Sequence, residues 1–179
     1  MRDLILRRVD QLALLGVVLS LGAASAFATE GGTGAQYIID AKAMKPARFG
    51  PATAYAIRPD GGLRNPTTAY ACFNAAVHLP HNVQIVRVTV AYASGASANN
   101  PVVAILRTPL VTSPAEAETV ALSALYSDSG VRKLAALPLT GPTLVENNRY
   151  SYALSVCLDG AEKDAFYAVR ITYTKLILL

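Results

Sequence analysis

Cys72-Phe73-Asn74-Ala75-Ala76-Val77-His78-Leu79-Pro80-His81-Asn82-Val83-Gln84-Ile85-Val86-Arg87-Val88-Thr89-Val90-Ala91-Tyr92 is the stretch whose reading decides the fold. Before Pro80, Phe73, Ala75, Val77 and Leu79 alternate with Cys72, Asn74, Ala76 and His78. After it, Val86, Val88, Val90 and Tyr92 alternate with Arg87 and Thr89. A period of two with one apolar face is the pattern of half-buried strands. Proline between them donates no ladder hydrogen bond, so it marks a corner.

Working outward, the same pattern recurs at a spacing of roughly ten residues, as expected of a β-sandwich or jelly roll. Strands are expected over 36–40, 53–58, 68–79, 83–93, 102–108 and 131–139, and in a C-terminal hairpin. In that hairpin Tyr150, Tyr152, Leu154, Val156 and Leu158 alternate with small residues, residues 159–164 form a polar loop, and Tyr167, Val169, Ile171 and Tyr173 alternate again. Pro59-Asp60-Gly61-Gly62 carries turn chemistry. Residues 113–127 read two ways: Ser113-Pro114-Ala115-Glu116 is a helix start, whereas Val120, Leu122, Ala124 and Tyr126 alternate as a strand would. A helical turn over 113–118 followed by a strand reconciles the two. The expectation is an all-β chain, an antiparallel, jelly-roll-like sandwich of eight to ten short strands.

The first 28 residues read as an address. Arg2, Arg7 and Arg8 give a positive start, residues 12–21 an apolar run, and Ala26-Phe27-Ala28 a small-x-small cleavage pattern. The run is half the length of about 20 residues that a membrane span needs. Arg7-Arg8 also admits a twin-arginine signal in place of the general export route. The division expected is therefore 1–28 a cleaved signal peptide, 29–35 a flexible, glycine-rich mature N-terminus, and 36–179 a single sandwich domain. Export to the periplasm or the extracellular space follows, with no transmembrane segment in the mature form.

Two cysteines in an exported chain suggest one disulfide, Cys72 to Cys157. Both lie on the less apolar face of their strands. A bridge across that face would close a loop of about 85 residues and remove up to ~4.5 kcal/mol of unfolded-state entropy; separate thiols or an intermolecular bond are the alternatives. The formal net charge of +4 is spread along the chain with no basic run longer than two residues. Nucleic-acid binding calls for a concentrated basic face and is not expected.

No nucleophile elbow, phosphate-cradling glycine loop, His-Glu-x-x-His or paired cysteine knuckle occurs. The two histidines, His78 and His81, flank the proline corner and read as surface residues. Asp159, Glu162 and Asp164 could hold calcium with the help of backbone carbonyls, but Lys163 among them favours a solvated turn. No metal or other cofactor is expected. Nine tyrosines without tryptophan suit wet interfaces and sugar stacking; Tyr92, Tyr150, Tyr152, Tyr167 and Tyr173 are assigned to the core side of their strands, while Tyr37, Tyr55, Tyr70 and Tyr126 stay unassigned.

Val77 to Ile85, of the form V-x-L-P-x-x-A-x-I with Val83 at the alanine position, precedes Asn147-Asn148-Arg149-Tyr150-Ser151-Tyr152, of the form D-N-x-x-Y-x-Y with Asn147 at the aspartate position. In these two segments the chain resembles a group of uncharacterised exported bacterial proteins. The resemblance implies a jelly-roll-like sandwich and transfers no active site.

The expected function is a non-catalytic, exported binding or structural module of the envelope or extracellular space, acting by surface contact on another protein or on its own copies. A carbohydrate-active or carbohydrate-binding protein is the competing reading, and a filament subunit is a third. The third rests on the apolar C-terminus Leu176, Ile177, Leu178 and Leu179, a possible interaction edge, because an unpaired strand is a template for strand addition. If it drives assembly, deleting 176–179 lowers the particle mass measured by light scattering; unchanged mass with unchanged stability removes the idea.

Overall fold

Among the described residues, the alternating segments pair into eleven strands. They are β1 (Ala35–Asp40), β2 (Lys45–Pro46), β3 (Ala56–Ile57), β4 (Leu63–Arg64), β5 (Ala71–Ala76), β6 (Val83–Ser94), β7 (Val102–Pro109), β8 (Glu118–Ala124), β9 (Lys133–Leu137), β10 (Tyr150–Leu158) and β11 (Asp164–Lys175), with one 3-10 turn at Ala41–Ala43. The computed structural model describes residues 34–47, 55–95, 101–111, 116–125, 131–160 and 162–176. The signal segment, the helix start at 113–115, Tyr126 and residues 177–179 lie outside them.

Every pairing is antiparallel. One sheet has the order β3-β4-β11-β6-β9, with β1 also on β11, and the other the order β2-β5-β10-β7-β8. From β4 onward the chain alternates between the sheets except at β7 and β8, and β11 returns to lie beside β4. That is jelly-roll topology. Eight of the strands have five or more residues; β2, β3 and β4 have two each, so the run expected over 53–58 is represented by β3 alone among the described residues.

Both flanks of the sandwich are crossed by chain that pairs first with one sheet and then with the other. On one flank β1 follows β11, the Asp40 carboxylate caps the 3-10 turn by accepting from the Lys42 amide at 2.7 Å, and β2 then joins β5. On the other, β9 leaves β6, the Thr140 amide donates to the Val120 carbonyl at 2.9 Å, and Val145 returns to β6 by donating to the Val83 carbonyl at 2.8 Å. Such crossings cover edges that would otherwise invite intermolecular pairing.

Between the sheets Phe73, Val103, Ile105, Leu154, Val156 and Leu158 meet Val88, Val90, Tyr92, Phe166, Val169 and Ile171, all buried. Full burial of side chains of this size contributes roughly 1.5–3 kcal/mol each before the entropic cost of ordering the chain.

Two assignments to the core side are overturned by bulges in the central β6·β11 pair. Thr172 pairs with Arg87 and Tyr173 with Ile85, which leaves Val86 as an extra residue, 46% exposed, with Ile85 in the core in its place. Phe166 pairs with Tyr92 and Ala168 with Ala91, so Tyr167 is the extra residue and Phe166 fills the core. A bulge inserts one residue and reverses the facing of everything beyond it. Tyr92 and Tyr152 are buried as expected, and Tyr150 and Tyr173 pack partly buried against the core.

Cys72 and Cys157 sit directly opposite one another on β5 and β10 with Cα atoms 3.9 Å apart, and they form a disulfide spanning 85 residues of sequence. The register brings the sulfurs together on the outer face, where the bond stitches two strands that are 85 residues apart in the chain. Replacing both cysteines by alanine lowers unfolding stability by about 2–4 kcal/mol in urea titration with the far-UV spectrum retained; an unchanged midpoint would contradict this.

Candidate functional site

The corner after β5 is built by two segments that close on each other. Asn82 adopts a left-handed conformation, φ 58°, which asparagine tolerates better than most side chains, and this lets the chain reverse within Pro80–Val83. The Asn82 amide donates to the Val145 carbonyl at 2.9 Å. Asn147 binds twice: its Nδ2 donates to the Leu79 carbonyl at 2.7 Å, and its backbone amide donates to Nδ1 of His81 at 3.1 Å. His81 is exposed, as expected, and its Nδ1 serves as a structural acceptor.

The Tyr-x-Tyr segment divides its work. The Tyr152 hydroxyl accepts from the Glu146 amide at 3.0 Å and donates to the Leu144 carbonyl at 3.3 Å, a link back to upstream backbone of the kind that makes a tyrosine corner. Tyr150 carries the guanidinium of Arg107 4.1 Å from its ring centroid, with Arg149 at 5.6 Å. Arg107 points inward from β7 and is buried; its Nε donates to Glu118 at 2.9 Å. A buried guanidinium needs both the acid and the ring face to offset its lost hydration.

Against this clasp lies a cleft of about 710 Å³ whose walls include His78, Pro80, Leu110, Asn147, Tyr150 and Tyr173. A second hollow of about 430 Å³ is lined by Tyr37, Ala43, Lys45 and Asn74 and shares Ala76 and His78 with the first. The two meet at the edge of β5. On that edge β2 pairs with Asn74 and Phe73 and then stops, and Ala47 donates to the Cys72 carbonyl. By the strand's period of two, the Ala76 amide and carbonyl point the same way, past the end of β2 and into the joined clefts. Among the described residues, neither cleft is lined by an aspartate or glutamate. Of the residues singled out in the sequence, His78, Tyr150, Tyr152 and Tyr173 come together here. Asn74 joins them from the strand that leads to His78, Asn147 from the segment that leads to Tyr150, and Lys45 from a segment far away in the chain; none had been foreseen as part of any site.

The opposite end of the sandwich holds a charged cluster. Gly61, at φ 79°, lets the β3–β4 turn close so that Asp60 accepts from the Gly62 amide at 2.9 Å. Asp60 Oδ2 also accepts from Arg64 and from the Tyr167 hydroxyl, each at 3.1 Å, and Arg132 lies 4.3 Å above the Tyr167 ring. The bulge is what turns Tyr167 out to this cluster. Glu162 pairs with Arg58, and Asp159 Oδ1 accepts from the Gly160 amide. Asp164 is fully buried: Oδ2 accepts from the Asp159 amide at 3.2 Å, while Oδ1 has no hydrogen-bond partner among the described residues. The polar loop is thus solvated only in part, and no group of three or more potential metal ligands converges among the described residues. Nearby Asn65 is also buried and satisfied, donating to the carbonyls of Ala69 at 2.6 Å and Leu158 at 3.2 Å.

At the C-terminus, β11 is flanked on both sides, by β6 and by β1, through Tyr173; Leu176 is 43% exposed. No helix among the described residues is long and apolar enough to cross a membrane.

No family model matches the chain, and no curated protein does. Among solved structures, the family two carbohydrate esterase from Cellvibrio japonicus superposes with a TM-score of 0.41 at 10% identity, covering 82% of this chain and 37% of that one. The CBM22-1–GH10 modules of the Clostridium thermocellum endo-1,4-β-D-xylanase 10B give 0.47 at 13%, covering 79% and 28%. The xylan-binding module CBM15 gives 0.41 at 10%, covering 80% of this chain and all of its own. The chain thus spans well under half of the first two structures. The sandwich assignment rests on the strand order itself.

Two carboxyls make opposed contributions to stability against pH. The Gly62 amide, followed by Arg64 and Tyr167, holds Asp60 below the usual aspartate range. Its contribution is present above the ordinary value of 3.8 and is lost as pH falls through the lowered one. Burial raises the Asp164 carboxyl above that range. Its folded form holds the proton more tightly than the unfolded chain does, so stability falls as pH rises from 3.8 through the raised value. Urea titrations of Asp164→Asn are expected to show a flatter loss of stability as pH rises above 3.8, and those of Asp60→Asn a smaller loss as pH falls below 3.8. Profiles that superpose on the parent's would refute both assignments.

Proposed function

We propose that this chain is an exported, non-catalytic binding module that takes up a glycan in the joined clefts around His78. The observation that carries the reading is their lining: the tyrosines Tyr37, Tyr150 and Tyr173, neutral hydrogen-bonding groups from Asn74, Asn147 and Ser151, and a strand edge with no strand partner at Ala76 among the described residues. Sugar rings present apolar faces to stack on aromatic side chains and hydroxyls at their rims to both donors and acceptors. A peptide adding as a strand fits less well, because the open edge ends at Pro80 and offers too few backbone groups for a ladder. Hydrolysis of a glycosidic bond calls for a pair of carboxyl groups roughly 5–9.5 Å apart, and among the described residues neither cleft is lined by a carboxylate. The disulfide supports an oxidising compartment, in keeping with the export signal read in the sequence.

Electrophoresis of the disulfide-intact chain through gels containing a panel of soluble plant and bacterial polysaccharides tests the reading. Retardation by at least one polymer is expected, and Asn74→Ala with His78→Ala, both on exposed side chains, is expected to weaken it about tenfold without changing the melting temperature. No retardation across the panel, or retardation that the double variant leaves intact, would overturn it.

A further inference from the structure

We propose that the outer face of the β2-β5-β10-β7-β8 sheet docks against the same face of a second copy of this chain, giving a two-fold dimer. Residues 72–76 of β5, 151–157 of β10, 102–108 of β7 and 119–124 of β8 include one charged side chain, Arg107, and it points inward and is buried. The outward side chains of these strands are therefore all uncharged. The other sheet differs, because its outer face carries Arg87 and Arg170, both exposed, on the adjacent strands β6 and β11. Two copies meeting there would set cations against cations, and like charges across an interface cost free energy. The uncharged face meets its own copy without that cost.

The strand register also gives this face a relief that fits itself. Across it, Ala76, Ala153, Leu106 and Thr119 form one row, and Asn74, Ser155, Ala104 and Leu122 form the next. The β5 and β10 half thus presents short side chains, while the β7 and β8 half presents two leucines, of which Leu122 is 42% exposed. A two-fold axis running along the strands between β10 and β7 lays the leucine half of each copy on the short half of the other, with Leu106 over Ala153 and Leu122 over Asn74. Such a contact is isologous and closes at two copies. Strand addition at β8 is hindered, because Thr140 donates to the Val120 carbonyl at 2.9 Å and Leu139 bridges to Ala121 along that edge. Strands spaced by roughly 4.8 Å, with a rise of roughly 3.4 Å over about seven residues each, give a face of about 450 Å² per copy. That places the contact among the reversible associations that bury less than about 1,200 Å² in total, with dissociation on the order of 10–100 μM. Asn74 and Ala76, at the margin of the face, also line the clefts, so a bound ligand and a second copy compete for that margin.

Sedimentation velocity of the disulfide-intact chain, from about 5 to about 500 μM, tests the contact without reference to any ligand. The weight-average mass is expected to rise from one copy towards two and to go no further. Leu122→Lys and Asn74→Glu, both on exposed side chains, are each expected to hold the chain at one copy with the melting temperature unchanged. Mixing these two variants is expected to restore the dimer, because the introduced ammonium of one copy then meets the introduced carboxylate of the other. Arg87→Ala, on the opposite face, is expected to leave the parent's concentration dependence unchanged. One copy at every concentration, growth past two copies, association that survives both single variants, or a mixture that stays at one copy would overturn the inference.

Discussion

The pairing of β6 with β11 is the constraint on which the rest depends. These two twelve-residue strands run side by side through the middle of one sheet, and their inner faces supply Val88, Val90, Tyr92, Phe166, Val169 and Ile171 to the core. Each strand carries one extra residue, Val86 on the first and Tyr167 on the second. The bulges let apolar side chains face inward along the whole length of two strands whose residues do not keep a single phase. They also turn Tyr167 outward, where its hydroxyl joins Asp60 and its ring supports Arg132. Without that bulge the charged cluster at this end would lose its central member.

The opposite sheet is held by a different device. β5 and β10 pair through Cys72 and Cys157 on the outside and through Phe73, Ala75, Leu154 and Val156 on the inside. The covalent bond lies at one end of this pair and the clasp of Asn147, His81 and Tyr152 at the other. Between them, Ala76 lines both clefts two residues beyond Asn74, where β2 pairs with β5. One edge of β5 is stapled to β10, and the other pairs with β2 over Asn74 and Phe73.

The degree to which this was readable in the chain varies with the range of the interaction. The strand corner at Pro80, the C-terminal hairpin and the bond between the two cysteines follow from period-two alternation, turn residues and cysteine count, all of them local or compositional signals. Val86 and Tyr167 broke the reading because alternation assumes an uninterrupted phase, and a bulge is set by what the partner strand offers. The cleft was half visible. His78 and the segment Asn147 to Tyr152 stood out, but Lys45 lies in a segment that meets the corner only through strand order, and nothing in its immediate neighbours announces it. Asp164 looked like part of a wet loop because its neighbours in sequence are polar; the sheet places it inside.

The sequence by itself determined an all-β chain with one face of each strand apolar, punctuated by proline and glycine, and with two cysteines on outward faces. Those properties are dictated residue by residue, through backbone sterics and the cost of leaving apolar surface in water. Only the tertiary structure decided which strands became neighbours, where the register slipped, and which loops closed on the corner. Such contacts join residues scores of positions apart, and their free energy depends on the whole sheet being formed. The tyrosines and amides of the clefts meet only once that assembly has brought them to one edge.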